Sequence, residues 1–361
     1  MKNLLLLFSL VSLLGQTFAQ SSRTFKVLHQ VKTSPLKDQQ SSGTCWSFAT
    51  TSFIETEAIR LGKEAVSLSP IYYVAPTYLQ KAEKYIDRKG KSYFDAGDLT
   101  FSVLKAYQTH GAVPESVYNG VIEGDWQHDH VEMDNLLAAM VESVGASGYG
   151  RIKPQSWRQS VNGVLKAYLG EAPPFFEYKG LQYTPKTFAE KFVGINPDNY
   201  VEITSYSHLP FYEAVTLNIP ANWDQNKYLN LPINELEAVI DHALQKGYSL
   251  AWDGDISESG FLVDKGIAEL PLLQEQSPIT QTLRQSTFED ESTTDDHNMH
   301  LIGRAEDAQG RIYYLLKNSE GNNEQGGYIY MSKNYLLLKT ISLLVSKYAI
   351  PQDIKSKTYL K

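Results

Sequence analysis

The sequence predicts an α+β fold in two lobes. Three observations carry that expectation. Helical periodicity fills the first third of the chain, β-branched and alternating runs fill the last third, and the two kinds of element do not alternate as a parallel βαβ sheet requires.

In order, residues 20–35 read as an extended arm ending at Pro35. After Cys45, the residues Trp46, Phe48, Phe53, Ile54, Ala58 and Ile59 recur at helical spacing, and Gly62 suits the C-terminal cap. Ser69-Pro70 opens a second helix through Tyr78, Ala82 and Tyr85 toward Gly90. A third runs from Leu99 to Tyr107 and ends near His110-Gly111. Glu132–Val144 and Gln155–Leu169 read as helices, Gly170 to Pro174 as a break, and Thr184–Phe192 as a helix with a Thr-Pro start. The β-rich part comprises Val201–Thr204, Ala214–Leu217, Ser249–Trp252, His300–Gly303, Ile312–Lys317, Tyr328–Met331 and Ile341–Val345. It is interrupted by one helix, Ile233–Leu244. The expected division is a helical lobe over 36–120, an insertion over about 121–200 and a β-rich lobe over about 201–350.

Lys2, the apolar run Leu4–Leu14 and Thr17-Phe18-Ala19 read as a signal segment over residues 1–19. The expectation is an exported bacterial protein, periplasmic or secreted. The apolar run is shorter than the roughly 20 residues a spanning helix needs, so no membrane insertion is expected after cleavage. The 361 residues are 42% hydrophobic and 12% aromatic, enough for a sizeable core. A net charge of −8 without clustered Lys and Arg excludes a nucleic-acid surface.

Cys45 is the single cysteine, so no internal disulfide forms. A lone thiol is either packed in a core or used. Gln39 six residues upstream, the turn Ser41-Ser42-Gly43-Thr44 and the helix that follows favour use. A helix N-terminus and an imidazolium both favour the thiolate, which is the nucleophile. Among eight histidines, His297 in Thr294-Asp295-Asp296-His297 lies just before a strand, at the rim where a loop enters the β-rich lobe. His300, on that strand, is its competitor. Asn318, after the strand Ile312–Lys317, is placed to orient the second ring nitrogen of a base. His128 and His130 form a two-histidine loop, weak as a metal site without a third ligand.

Gln39-x5-Cys45-Trp46-Ser47-Phe48-Ala49, His297 and Asn318-Ser319 resemble, in order and spacing, the motifs of the papain-like cysteine peptidases. The closer resemblance is to the bleomycin hydrolase and bacterial aminopeptidase C branch, in which Ser41-Ser42 stands where papain has a disulfide-forming cysteine. Val113-Pro114-Glu115-Ser116-Val117-Tyr118, Thr184-Pro185-Lys186-Thr187-Phe188-Ala189 and Gly247-Tyr248-Ser249-Leu250-Ala251-Trp252-Asp253-Gly254-Asp255 extend it over nearly the whole chain after residue 19. The resemblance implies a papain-like fold, a helical lobe plus a β-barrel-like lobe with a helical insertion. It implies peptide substrates and no metal or organic cofactor. Cys45 is then the nucleophile, His297 the base, Asn318 its orienter and Gln39 an oxyanion donor, with Gly97, Asp98, Trp46 and Asp296 at the substrate. It further implies a hexamer and a C-terminal arm, here Ile350–Lys361, in the cleft; the tail's composition fits a frayed terminus equally well. Two positions depart from the family: Asp98 replaces a glycine whose backbone pairs with substrate, and Glu320 replaces a tryptophan that shields the Asn–His contact. They leave a second reading open, a peptide-binding homologue with impaired turnover.

Overall fold

A computed structural model of the chain describes residues 23–122, 124–146 and 154–360; the expected signal segment lies outside them. Five helices lead: α1 (Cys45–Arg60), α2 (Val74–Asp87), α3 (Thr100–His110), α4 (Val131–Gly145) and α5 (Pro154–Leu169). A four-residue helix, α6 (Pro185–Phe188), is capped by Thr184, whose hydroxyl accepts from the Thr187 N–H, and α7 spans Ile233–Gln245. Helix ends fall where the sequence expected them because glycines there adopt the left-handed backbone. At Gly111 (φ 89°) a Cβ would lie 2.3 Å from the Pro185 backbone, so no other residue fits that closure.

The strands are β1 (Phe25–Gln30), β2 (Phe176–Tyr178), β3 (Leu181–Tyr183), β4 (Tyr200–Thr204), β5 (Ala214–Val215), β6 (Tyr228–Asn230), β7 (Leu250–Gly254), β8 (Phe261–Leu262), β9 (Ile267–Ala268), β10 (His297–Asp307), β11 (Ile312–Lys317), β12 (Tyr328–Ser332) and β13 (Thr340–Ser346). Eleven of them make one sheet in the order β5-β6-β4-β13-β7-β10-β11-β12-β9-β8, with β1 paired on β10. Its path is open at β5 and β8, so the expected barrel-like lobe is a mixed sheet and not a closed barrel. β5 and β8 are two residues long, too short to bring the ends together. The hairpin β2–β3 went unrecognised because its strands have three residues each and a polar middle.

Two apolar cores sit on opposite sides of the sheet. One gathers α1 to α5 and includes Ala251 and Leu344 from the near face of the sheet. The other lies between the far face and α7, and contains Met299, Leu301 and Leu343. Side chains alternate across a strand, so neighbouring residues of β7 (Ala251 and Trp252) and β13 (Leu344 and Leu343) serve different cores. The C-terminal segment belongs to the second core: Ile354 and Leu360 are buried there, and Lys357 Nζ is 2.8 Å from Glu235 on α7. It is therefore neither frayed nor, among the described residues, an arm bonded to Cys45, Gln39 or His297. Burial of its apolar residues holds it to the sheet side.

Glu55 on α1 joins helix to arm. Its buried carboxylate accepts from Lys37 Nζ at 2.8 Å, from the Leu68 N–H at 2.6 Å and from Ser34. Replacing it by Ala leaves the Leu68 N–H and the Ser34 hydroxyl without their buried acceptor and Lys37 with Glu115, 3.3 Å away, as its remaining carboxylate, a loss of about 1–3 kcal/mol. Chemical unfolding of Glu55→Ala measures it; a change within experimental error would contradict the account.

Candidate active site

Cys45 is the first residue of α1, on the side facing the sheet, and is 9% exposed. Thr44 precedes it with no side-chain cap, so the first N–H groups of the helix are left for another acceptor. The turn before it is tight: a Cβ on Gly43 would lie 2.5 Å from the Ala96 Cβ. Trp46 is fully buried and donates Nε1 to the Ala96 carbonyl at 3.1 Å. The expectation of Trp46 at the substrate is thus corrected. Its ring is core, and it holds the wall segment Asp95–Asp98 against the Cys45 turn.

Gln39 is buried and braced on three sides. Its N–H donates to the Ser319 carbonyl at 2.8 Å, its Nε2 to the Ser42 carbonyl at 2.7 Å, and its Oε1 accepts from Ser319 Oγ at 2.6 Å. An amide nitrogen has two hydrogens, and one remains beyond the Ser42 bond. Ser41 pairs with the 128–130 segment through two backbone bonds, Ser41 N–H to the His128 carbonyl and His130 N–H to the Ser41 carbonyl. Burial pushes His130 down to about 4 and His128 downward, so these rings pack uncharged beneath the Gln39 loop.

His297 is the first residue of β10 rather than part of the loop before it, because pairing with β7 extends to His297↔Gly254. Its Nε2 donates to Asn318 Oδ1 at 2.8 Å, and the Cys45 thiol hydrogen-bonds to the ring. Burial opposes a charge on the ring. The bond and charge of Cys45, the charge of Glu320 and the Asn318 bond outweigh it and hold His297 up at about 9. His300, fully buried and bonded to Ser52 Oγ at 2.8 Å, is driven well below its ordinary value by burial and by Lys317. The two buried rings are pushed in opposite directions: burial and Lys317 lower His300, while the thiol, Glu320 and Asn318 raise His297 against its burial.

Glu320 departs from the shielding role of the family's tryptophan, yet it is not a bystander. It is exposed, and its Oε2 accepts from Asn318 Nδ2 at 3.1 Å, which turns Asn318 Oδ1 toward His297. Asp98 does not charge the cleft. It is 4% exposed, with Oδ1 accepting from the Leu99 N–H and Ser102 Oγ, and Oδ2 from Trp223 Nε1 at 3.1 Å. Its counter-ion is Lys81, 3.6 Å away and equally buried, which also donates to the Gly97 carbonyl at 2.7 Å. Asp296 is exposed and accepts from the Ile256 N–H at 2.8 Å; burial of its carboxyl pushes it up to about 6. Sequence reasoning missed Trp223, Lys81 and Ser319, none of which stands near a recognisable motif except Ser319 beside Asn318.

Residues 175–360 match the Peptidase C1-like family, and residues 22–81 match the papain family of cysteine proteases. Aminopeptidase C of Streptococcus thermophilus is 23% identical over 86% of this chain and 80% of its own length. Aminopeptidase W of Lactobacillus delbrueckii subsp. lactis is 22% identical over 92% and 85%, respectively. The mitochondrial cysteine proteinase 1 of Saccharomyces cerevisiae is 21% identical over 94% and 80%. The crystal structure of pepW from Lactobacillus rhamnosis HN001 superposes with a TM-score of 0.72 at 20% identity, covering 93% of this chain and 85% of that one, a likeness of fold. These relatives overturn the expected exported, periplasmic location: aminopeptidase C enzymes are cytoplasmic, and the yeast relative is named mitochondrial. A short apolar run is a compositional feature that does not by itself specify export.

The charge of Glu320 raises the His297 value, so removing it lowers that value. In Glu320→Gln the alkaline limb of the kcat/KM profile moves to lower pH, as a pH series on both proteins measures. An unmoved or raised limb contradicts the assignment. Linkage has the same sign: the charged ring favours the folded chain fully below its ordinary value near 6.5, and that contribution is lost as pH rises through about 9.

Proposed function

The chain belongs to the Peptidase C1-like family and is a cysteine-type peptidase; on that premise we propose an aminopeptidase that works through Cys45, His297, Asn318 and Gln39. The observation that carries the reading is the geometry at His297, a buried ring hydrogen-bonded to the Cys45 thiol and, through Nε2 at 2.8 Å, to Asn318 Oδ1.

His297 takes the thiol proton and leaves a thiolate–imidazolium pair at the N-terminus of α1. The thiolate attacks the scissile carbonyl. The oxyanion forms within reach of the Cys45 N–H and the second hydrogen of Gln39 Nε2. Losing one such donor raises the barrier by about 3 kcal/mol. Protonated His297 gives its proton to the departing amine. Water, deprotonated by the same ring, then cleaves the thioester. Asn318 keeps the imidazole in plane, and Glu320 keeps Asn318 from flipping. The backbone at Gly97 and Asp98 forms one wall, fixed by Trp46 and Lys81. Release of single N-terminal residues is the reading favoured by the names of the relatives. A hexamer belongs to the same proposal, and exposed Trp126, Phe175, Leu272 and Leu273 provide apolar surface for it.

An epoxide-type thiol inhibitor adds its mass to Cys45 at neutral pH, as peptide mass spectrometry reads. No adduct contradicts the thiolate. Free aminoacyl amidocoumarins are cleaved faster than their N-acetylated forms; equal rates contradict the aminopeptidase part and leave the thiol chemistry standing. Gln39→Ala lowers kcat by about 100-fold with a smaller change in KM; an equal loss in KM contradicts an oxyanion role.

A further inference from the structure

One group of buried polar side chains next to the site has no role in the chemistry above. It starts at Asn298, directly after His297. Asn298 Nδ2 lies 3.4 Å from both the Asp253 Oδ1 and the Asp98 carbonyl. Asp253 is opposite Asn298 in the β7–β10 ladder and opposite Ser342 in the β7–β13 ladder, and Ser342 Oγ donates to it at 3.3 Å. Glu202 on β4 faces Leu344, two residues along β13 from Ser342, so it shares that face of the sheet. Its Oε1 accepts from Thr100 Oγ1 on α3. Asp295, two residues before His297, completes the group. These acids therefore line the seam between helices and sheet, beginning one residue from the base.

The group is short of donors and lacks a cation. Glu202 Oε2, Asp295 Oδ2 and Asn298 Oδ1 are buried acceptors with no partner, and Glu202 and Asn298 are 5% and 3% exposed. The unpaired Tyr228 hydroxyl is buried beside them. Lys81 is committed to Asp98 and to the Asp95 and Gly97 carbonyls. Arg284, fully buried, donates to the carbonyls of Ser205, Leu337 and Thr340 instead of to an acid. Among the described residues no Lys or Arg forms an ion pair with Asp253, Asp295 or Glu202. Burial pushes Asp253 well above the carboxylate range, Glu202 up to about 7 and Asp295 up to about 6.

The segment between β5 and β6 closes this region on one side. Trp223 reaches from the sheet side to Asp98, and Arg88 donates to the Trp223 carbonyl at 2.9 Å. Asp224 pairs with Lys84 at 3.1 Å and with Lys105, both on the helical side. Asn222 braces the loop from within through the Leu217 carbonyl at 3.0 Å and the Asn226 N–H at 2.8 Å. Ala221 packs on Leu99 and Phe101, and its backbone hydrogen-bonds to Asp295.

We propose that Asp253, Asp295, Glu202 and Asn298, closed over by the Ala221–Trp223 loop, form a subsite that takes a cationic nitrogen of the peptide. This deepens the peptidase reading and rests on it. The chemistry asked for is an N–H-bearing cation, because the open oxygens of Glu202, Asp295 and Asn298 are acceptors and the surroundings are acidic. Two sources supply it: the α-ammonium at a peptide N-terminus, or the side chain of Lys or Arg. Because the loop ties sheet to helices at this end, a chain entering the subsite has little room to continue past it.

Three amidocoumarins separate the sources: Ala-Ala with a free N-terminus, acetyl-Lys-Ala with a side-chain cation only, and acetyl-Ala-Ala with none. On the wild-type protein at least one cationic substrate exceeds acetyl-Ala-Ala in kcat/KM by about tenfold, mainly through KM. Whichever of the two leads identifies the source. In Asp295→Asn, at a partly exposed position, and in the isosteric Glu202→Gln, that ratio falls by severalfold. Flat ratios across the three substrates, with Cys45 labelled by the epoxide, overturn this proposal together with the aminopeptidase preference and leave the thiol peptidase chemistry standing. Ratios kept in both variants overturn this proposal alone. Absence of both labelling and hydrolysis overturns the peptidase reading and this proposal with it.

Discussion

The contact between Cys45 and His297 is the interaction on which the rest of the structure depends. It joins the first residue of a helix to the first residue of a strand 252 positions later, across the seam between the two cores. Burial by itself pushes an imidazole down, as it does, together with Lys317, for His300 three residues away. What reverses the sign at His297 is a partner that becomes negative, an amide oxygen on the far nitrogen and an acidic side chain behind that amide. The thiol comes from α1 and the amide and carboxylate from the turn after β11, so the contact exists only when the helix and the sheet are docked.

Much of the remaining architecture keeps that docking in register. Ser319 takes both ends of Gln39, so the oxyanion loop and the Asn318 turn move as one piece. Trp46 and Lys81 clamp the wall segment from two directions, one through the Ala96 carbonyl and the other through Asp98 and the Gly97 carbonyl. A fully buried ion pair such as Lys81–Asp98 adds little net stability over an apolar pair, but it ruins the site if either partner is lost. Its use here is positional. The Asp98 carboxylate is turned inward to receive Trp223, which joins the 217–226 loop to the helical side.

The sequence was most readable where chemistry and local geometry coincide. The helix after Cys45 follows from apolar spacing and Gly62, and the Gln-Cys-His-Asn order is visible as a string. The longer strands were also legible from β-branched runs, while β6, β8, β9 and the β2–β3 hairpin, each two or three residues long, and the strand ends were not. β10 begins at His297 because a neighbouring strand continues to pair with it, and that is tertiary information. The helices Gln281–Glu289 and Lys333–Lys339 were missed, the first polar and the second a short apolar run that reads as strand. Side-chain direction was the larger gap. Asp98 and Trp46 were expected at the substrate from the family resemblance; Lys81 draws the Asp98 carboxylate inward, and core packing holds the Trp46 ring. Glu320 looked like a loss of shielding because the sequence does not reveal that its carboxylate reaches the Asn318 amide.

The central claim is that a buried imidazole is held charged by the thiol beside it. The most direct measurement is an NMR titration of the His297 ring in the native protein and in Cys45→Ser. The account predicts a value near 9 in the native protein and a marked fall when the ionisable thiol is removed. The same value in both proteins, or a native value below the ordinary histidine range, would contradict it.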